Sequence, residues 1–182
     1  TPPMIYGAAG PIVNIFNLTI SNGVSYYGGA IYINESAANI VNVDFINNTA
    51  RDTTYIGSVY PASGGALYID KAFVKIYNST FTNNNATTNG GAISIDASGV
   101  IIRTSEFHDN YANNGGALYV GGLGETNYVY SSVFDGNKAN KGYGGAIDWV
   151  ASSGQIIGSN VTNNNASYGG GIYYNSSASN CR

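Results

Sequence analysis

Charge is what this sequence has least of. Of its 182 residues only 9% are charged, 7 Lys and Arg against 10 Asp and Glu, for a net charge of −3, where a globular domain averages about 25% charged residues. Seven scattered basic residues leave no electrostatic footprint for a phosphate backbone, which excludes nucleic acid as a partner. Cysteine is nearly absent too. Cys181 has no partner for an internal disulfide, and its place beside the last residue fits a bystander better than a catalytic thiol. With one His and neither an HExxH nor a CxxC spacing, no metal or haem site is expected, and no cofactor. There is no apolar run of about 18 residues, and Thr1-Pro2-Pro3-Met4 lacks the basic start of a signal peptide, so a soluble piece of a longer chain is expected. What replaces charge is 25 Gly, 16 Tyr and an abundance of Asn, Ser and Thr. Hydrophobic residues at 43% and aromatics at 13% are enough to bury a core, which argues against global disorder.

Internal repetition organises the chain. Gly-Gly, then a small residue, then Ile or Leu recurs six times, at Gly28-Gly29-Ala30-Ile31, Gly64 to Leu67, Gly90 to Ile93, Gly115 to Leu118, Gly144 to Ile147 and Gly169 to Ile172. Interleaved with it runs Phe-x-x-Asn-x-Ala, from Phe45, Phe81, Phe107 and Phe134, with Val161 replacing the last Phe. The first Gly lies 17 residues before that Phe or Val four times, from Gly28, Gly64, Gly90 and Gly144, and two more from Gly115.

Aligned on the first Gly, positions three and five are apolar in every copy, as in Ile31 and Ile33, Leu67 and Ile69, or Ile147 and Trp149. A period of two is a strand with one buried face. A second apolar column, Ile15, Ile40, Ile76, Ile102, Val129 and Ile156, predicts a further strand in each repeat. No stretch has the apolar spacing of a helix. Strands returning every 25 or so residues without a crossover helix predict an all-β chain, a right-handed parallel β-helix of about six rungs in one domain over residues 1–182. At about 4.8 Å per rung the rod is roughly 29 Å long. The Phe column is expected inside, Gly-Gly at a tight corner, and the motif Asn in an amide ladder. Residues 51–63, Arg51 to Ser63, read as an inserted loop.

Phe-x-x-Asn with Gly-Gly-Ala-Ile/Leu, as in Phe81-Thr82-Asn83-Asn84 and Gly90-Gly91-Ala92-Ile93, resembles the repeat of chlamydial polymorphic outer-membrane proteins. It is also similar to the β-helix repeats of adhesin-like surface proteins of methanogenic archaea. The resemblance runs from about Ile12 to Tyr174. It implies a right-handed parallel β-helix on a secreted or cell-surface protein used for adhesion, and it carries over no catalytic residues. Ile20-Ser21-Asn22-Gly23 and Val161 depart from the pattern where Phe is expected.

Parallel β-helices also carry polysaccharide lyases and hydrolases, whose chemistry needs clustered carboxylates near a base. Stacking brings His108 and Asp135 together, with Asp109 beside them, and pairs Asp70 with Asp96. Asp44 and Glu106 share a column with Thr80 between. No column sets three acids beside an Arg, so no catalytic residue is assigned. The two Asp of the second pair supply too few ligands for a cation.

Two other columns point to binding. Tyr32, Tyr68, Ser94, Tyr119, Asp148 and Tyr173 lie four beyond the Gly and are expected to face outward. Phe16, Val41, Tyr77, Arg103, Tyr130 and Ile157 form a second outward column, with Arg103 between two tyrosines at cation–π distance. Such stacks either contact protein or sugar, or only stabilise a flat sheet at about 0.2–1 kcal/mol per pair. Both readings stay open. Asn-x-Ser/Thr sequons mark Asn17, Asn34, Asn47, Asn78, Asn85, Asn160, Asn165 and Asn175, with Asn85 and Asn165 expected to be most exposed and Asn17 and Asn78 in internal turn ladders.

The leading expectation is a non-enzymatic extracellular adhesin or display stalk, meeting a host or neighbouring-cell surface protein or glycan. One alternative is a structural subunit of an extracellular filament or sheath, self-associating through the solenoid ends, since the chain starts and stops without caps. Another is a polysaccharide-binding or polysaccharide-degrading β-helix.

Overall fold

The computed structural model describes residues 11–55, 58–122, 126–140, 142–150 and 152–175, with the side chains of 53–60 outside that description. Every described element is a strand. The Gly-Gly strands, Ile31–Asn34, Leu67–Asp70, Ile93–Asp96, Leu118–Gly121, Ile147–Val150 and Ile172–Asn175, form one six-stranded parallel sheet. A ten-stranded sheet holds the next two strands of each rung, which are continuous in Ala37–Ile46 and split later, as in Phe73–Tyr77 and Thr80–Thr82. Five two-residue strands, from Val24–Ser25 to Lys138–Ala139, close the coil. Successive rungs pair in register: Ile15, Ile40, Ile76, Ile102, Val129 and Ile156 form one unbroken ladder column. The chain is a parallel β-solenoid of about six turns.

The interior is built from columns of like residues. Phe45, Phe81, Phe107 and Phe134 are fully buried and stack with centroids 4.7, 4.7 and 4.5 Å apart, their planes nearly parallel. Ile20 and Val161 continue the column at either end, where Phe gives way to a smaller side chain. Replacing Phe107 by Leu keeps the site apolar but removes two ring contacts. We expect a loss of about 1–2 kcal/mol in urea denaturation, with the fold retained.

Beside the rings runs the amide ladder. Asn48 donates Nδ2 to Asn84 Oδ1 (3.1 Å), Asn84 to Asn110 (3.0 Å), Asn110 to Asn137 (2.9 Å) and Asn137 to Asn164 (3.0 Å). The second amide hydrogen goes back to a carbonyl of the preceding rung, such as Phe81 O for Asn110. Each Oδ1 also accepts a backbone N–H, as Asn110 Oδ1 does from Asn84. A buried polar column is tolerated because every member is satisfied.

All positive-φ residues among the described ones fall into four columns, one per corner of the coil. The first Gly of each Gly-Gly pair makes one corner, at φ 57–71°. Asn22, Asn47, Asn83, Asp109, Gly136 and Asn163 make another, and Asn17, Asn42, Asn78, Thr104, Ser131 and Gly158 a third. Glu35, Lys71, Ala97 and Gly122 turn the fourth. Asn and Gly dominate because they enter the left-handed region most easily. Much of the Asn enrichment is therefore corner chemistry.

One expectation is corrected here. Asn17 and Asn78 are not in internal ladders: both are exposed at a corner, and Asn17 Oδ1 accepts from Asn42 Nδ2 at 2.9 Å on the outer surface. The left-handed corner turns their side chains outward. The inserted segment Arg51 to Ser63 contains two short strands. Thr53–Tyr55 and Ser58–Tyr60 pair antiparallel as a hairpin, and the Asp52 carboxylate accepts the Ala62 N–H at 2.7 Å across its base. β-Branched and aromatic residues in this insertion favour strand over coil.

Candidate functional site: two aromatic faces and an acidic face

The Gly-Gly sheet places Tyr32, Tyr68, Ser94, Tyr119, Asp148 and Tyr173 in one register column. The column is less open than expected. Tyr32 is 49% exposed, but Ser94 and Asp148 are only 2% exposed, and Tyr68, Tyr119 and Tyr173 are partly covered. For Tyr32, Tyr68 and Tyr173 cover comes from a Tyr that directly precedes a Gly-Gly pair. Tyr27 stacks on Tyr68 at 4.5 Å and reaches Tyr32 at 6.0 Å, while Tyr143 packs on Tyr173 at 4.5 Å and stacks on Tyr168 at 5.1 Å. Desolvation, with the Asp148 and Asp96 charges, raises the Tyr119 hydroxyl above its usual range. Desolvation does the same at Tyr68, with Asp96 and Tyr27 adding to it. Asp148 is the unusual member. Its Oδ1 is buried without a hydrogen-bond partner among the described residues, and desolvation pushes the carboxyl up to about 7.

The second column has the predicted register, Phe16, Val41, Tyr77, Arg103, Tyr130 and Ile157. Arg103 Cζ sits 4.7 Å from the Tyr130 ring centroid, and Tyr128 lies parallel to Tyr130 at 5.7 Å. One rung from Arg103, Lys75 Nζ lies 5.8 Å over Phe73. The strand segments of this face, 37–41, Phe73–Tyr77, Gly99–Arg103, Asn127–Tyr130 and Gly154–Ile157, contain Lys75 and Arg103 and no carboxylate. Aromatic rings with cations resting on them make a flat contact surface of one charge sign.

Across the next corner the sign reverses. Asp44, Thr80 and Glu106 share a column there, as do His108, Asp135 and Thr162. The predicted His108, Asp135 and Asp109 trio is only partly brought together. His108 Nε2 lies 3.1 Å from Glu106 Oε2, two residues back on its own strand. Asp135 Oδ1 accepts from Thr162 Oγ1 and Asn163 Nδ2, both at 2.7 Å, and these bonds lower its pKa, with His108 adding a smaller charge effect. Asp109 turns an exposed corner. Period-two alternation places Glu106 and His108 on one face, the signal that would have found this pair. Asp70 and Asp96 are in register, but no group of three His, Cys, Asp or Glu able to hold a metal occurs among the described residues.

Of the sequon residues, Asn17, Asn34, Asn47, Asn78, Asn85, Asn160 and Asn165 are exposed and Asn175 is half-buried. Sequence reasoning missed the cover on the first column. Its signal was present, since Tyr27, Tyr143 and Tyr168 share the position before Gly-Gly.

A coil of parallel, in-register strands with stacked interior columns defines a β-solenoid. The model of the right handed beta helix region matches residues 4–182, and the chain belongs to that family. The family contains polysaccharide-degrading enzymes and non-enzymes, so membership establishes the fold and leaves the activity open. No curated protein and no solved structure gives a significant match.

Proposed function

We propose that the chain is a non-enzymatic, adhesin-like β-helix of the extracellular surface, which displays the Tyr77–Arg103–Tyr130 face to a glycan or protein of a host or neighbouring cell. The observation that carries this reading is Arg103 held over Tyr130 on a face with two cations, several rings and no carboxylate. Tyr and Arg are the residues most often dominant in contact surfaces. The parallel ladder holds them in place before binding, so little side-chain freedom remains to be lost. The likeness of its repeats to surface adhesins supports the same reading. Occupied sequons would supply the surface hydration that charge does not.

The test is a glycan and cell-surface binding screen, run with wild type, Arg103→Ala and Tyr130→Ala. Either substitution is expected to weaken binding by about tenfold or more, and raised salt to weaken it further. Unchanged binding in both variants would remove the face from the reading. Polysaccharide turnover that disappears in His108→Ala or Asp135→Ala would replace adhesion by catalysis.

A further inference from the structure

Asp148 is hard to account for as a structural residue. Its register neighbours on the face are Tyr119 on one side and Tyr173 on the other, and Tyr173 carries the ring of Tyr143, itself stacked on Tyr168. Asp148 is 2% exposed, and its Oδ1 has no donor among the described residues. Among the described residues no Lys or Arg forms an ion pair with it, and burial raises its pKa. The titratable groups in register with it on the adjoining strands are Tyr119 and Tyr173, and Asp96 is the other carboxylate whose charge acts on Tyr119. The same column buries Ser94 to the same extent. This position therefore accepts a neutral polar side chain, whereas a buried unpaired charge is costly enough to force water in or the group out.

We propose that Asp148 is a proton-operated latch beneath the tyrosine cover: neutral, it stays packed between Tyr119 and Tyr173, and on losing its proton to solvent it admits water and loosens the Tyr143–Tyr168–Tyr173 cluster. The latch lies on a different face from the one proposed to bind, and stands whether or not that face has a ligand. Its sign follows from linkage. A carboxyl whose folded pKa is raised from 3.8 to about 7 favours the folded state least at high pH. Stability is full at or below the unfolded value, declines between the two, and levels off above the folded one.

Two readouts test it. Trp149, the only tryptophan, follows Asp148 directly and is buried, with Nε1 donating to Ser152 O at 2.9 Å. Its fluorescence is expected to change with a midpoint near pH 7 in wild type and to stay flat through that range in Asp148→Ser, the residue the solenoid itself uses at position 94. His108, the only histidine, lies on another sheet and is retained in the variant. A transition that persists in Asp148→Ser would therefore overturn the proposal. The carboxyl carbon of Asp148, followed by NMR in the wild-type protein, is expected to titrate near 7. A midpoint at the ordinary Asp value of about 4 would overturn it without any variant having to fold.

Discussion

Asn110→Ala is expected to remove a large share of the stability of the rod. The amide oxygen of Asn110 accepts both the backbone N–H and a side-chain N–H of Asn84, and its Nδ2 serves Phe81 O and Asn137 Oδ1. Alanine leaves two buried donors on Asn84 without partners, in a site with no exposure. At about 1–3 kcal/mol for each orphaned group the loss is about 2–6 kcal/mol, against a total of about 5–15 kcal/mol for a folded domain. Location adds to the effect. In a solenoid each rung is supported only by its neighbours, and short stacks are unstable alone. A break in the middle leaves two short stacks. Asn83→Ala is the control, being next to the ladder asparagine of its own rung but exposed at a corner with φ 54°. It should cost about 1 kcal/mol, the preference for Asn in the left-handed region. Urea denaturation of both variants measures the contrast, and equal losses would mean that the buried ladder contributes nothing special.

The parts of the fold that repeat were legible in the sequence because repetition is what stacking requires. Aligning six Gly-Gly pairs is enough to place Ile40 opposite Ile76, Phe81 opposite Phe107 and Asn84 opposite Asn110, since identical positions in successive rungs are ladder partners. What does not repeat was harder to see. The corner at Glu35, Lys71 and Ala97 turns through left-handed residues that have no intrinsic preference for it, so nothing local announces it. Tyr143 packs across the face onto Tyr173, the register neighbour of Asp148, a contact between positions that alternation treats as independent. His108 prefers Glu106 on its own strand to Asp135 one rung away, a choice of side-chain geometry that register leaves open. The scarcity of charge also takes on a spatial meaning. On the two faces that flank one corner the charges are sorted by sign, with Lys75 and Arg103 on one side and Asp44, Glu106 and Asp135 on the other.

The second large effect concerns a glycine that has no special backbone angle. Gly116 is the second residue of its Gly-Gly pair, and a Cβ placed there would lie 2.1 Å from Gly145 O and 2.6 Å from both C and N of Lys138. All three are backbone atoms of the following rung, so no side chain can swing aside. Gly116→Ala must instead push two rungs apart, breaking the Gly116 N–H to Gly144 O bond of 3.1 Å and the parallel pairing on either side. Loss of more than about 4 kcal/mol is expected, in the range reserved for disrupted cores and networks, and a cooperative thermal transition should be absent or strongly lowered. The same motif position in the last described rung gives the internal comparison. Among the described residues a Cβ on Gly170 meets only Asn164 O, at 3.5 Å, an ordinary contact. Gly170→Ala should therefore melt within a few degrees of wild type. The Gly-Gly motif then has two separable roles, since its first residue supplies a turn that alanine strains, and its second supplies room that only an adjoining rung demands. If Gly116→Ala and Gly170→Ala behave alike, the close approach of rungs at this corner is not what selects glycine there.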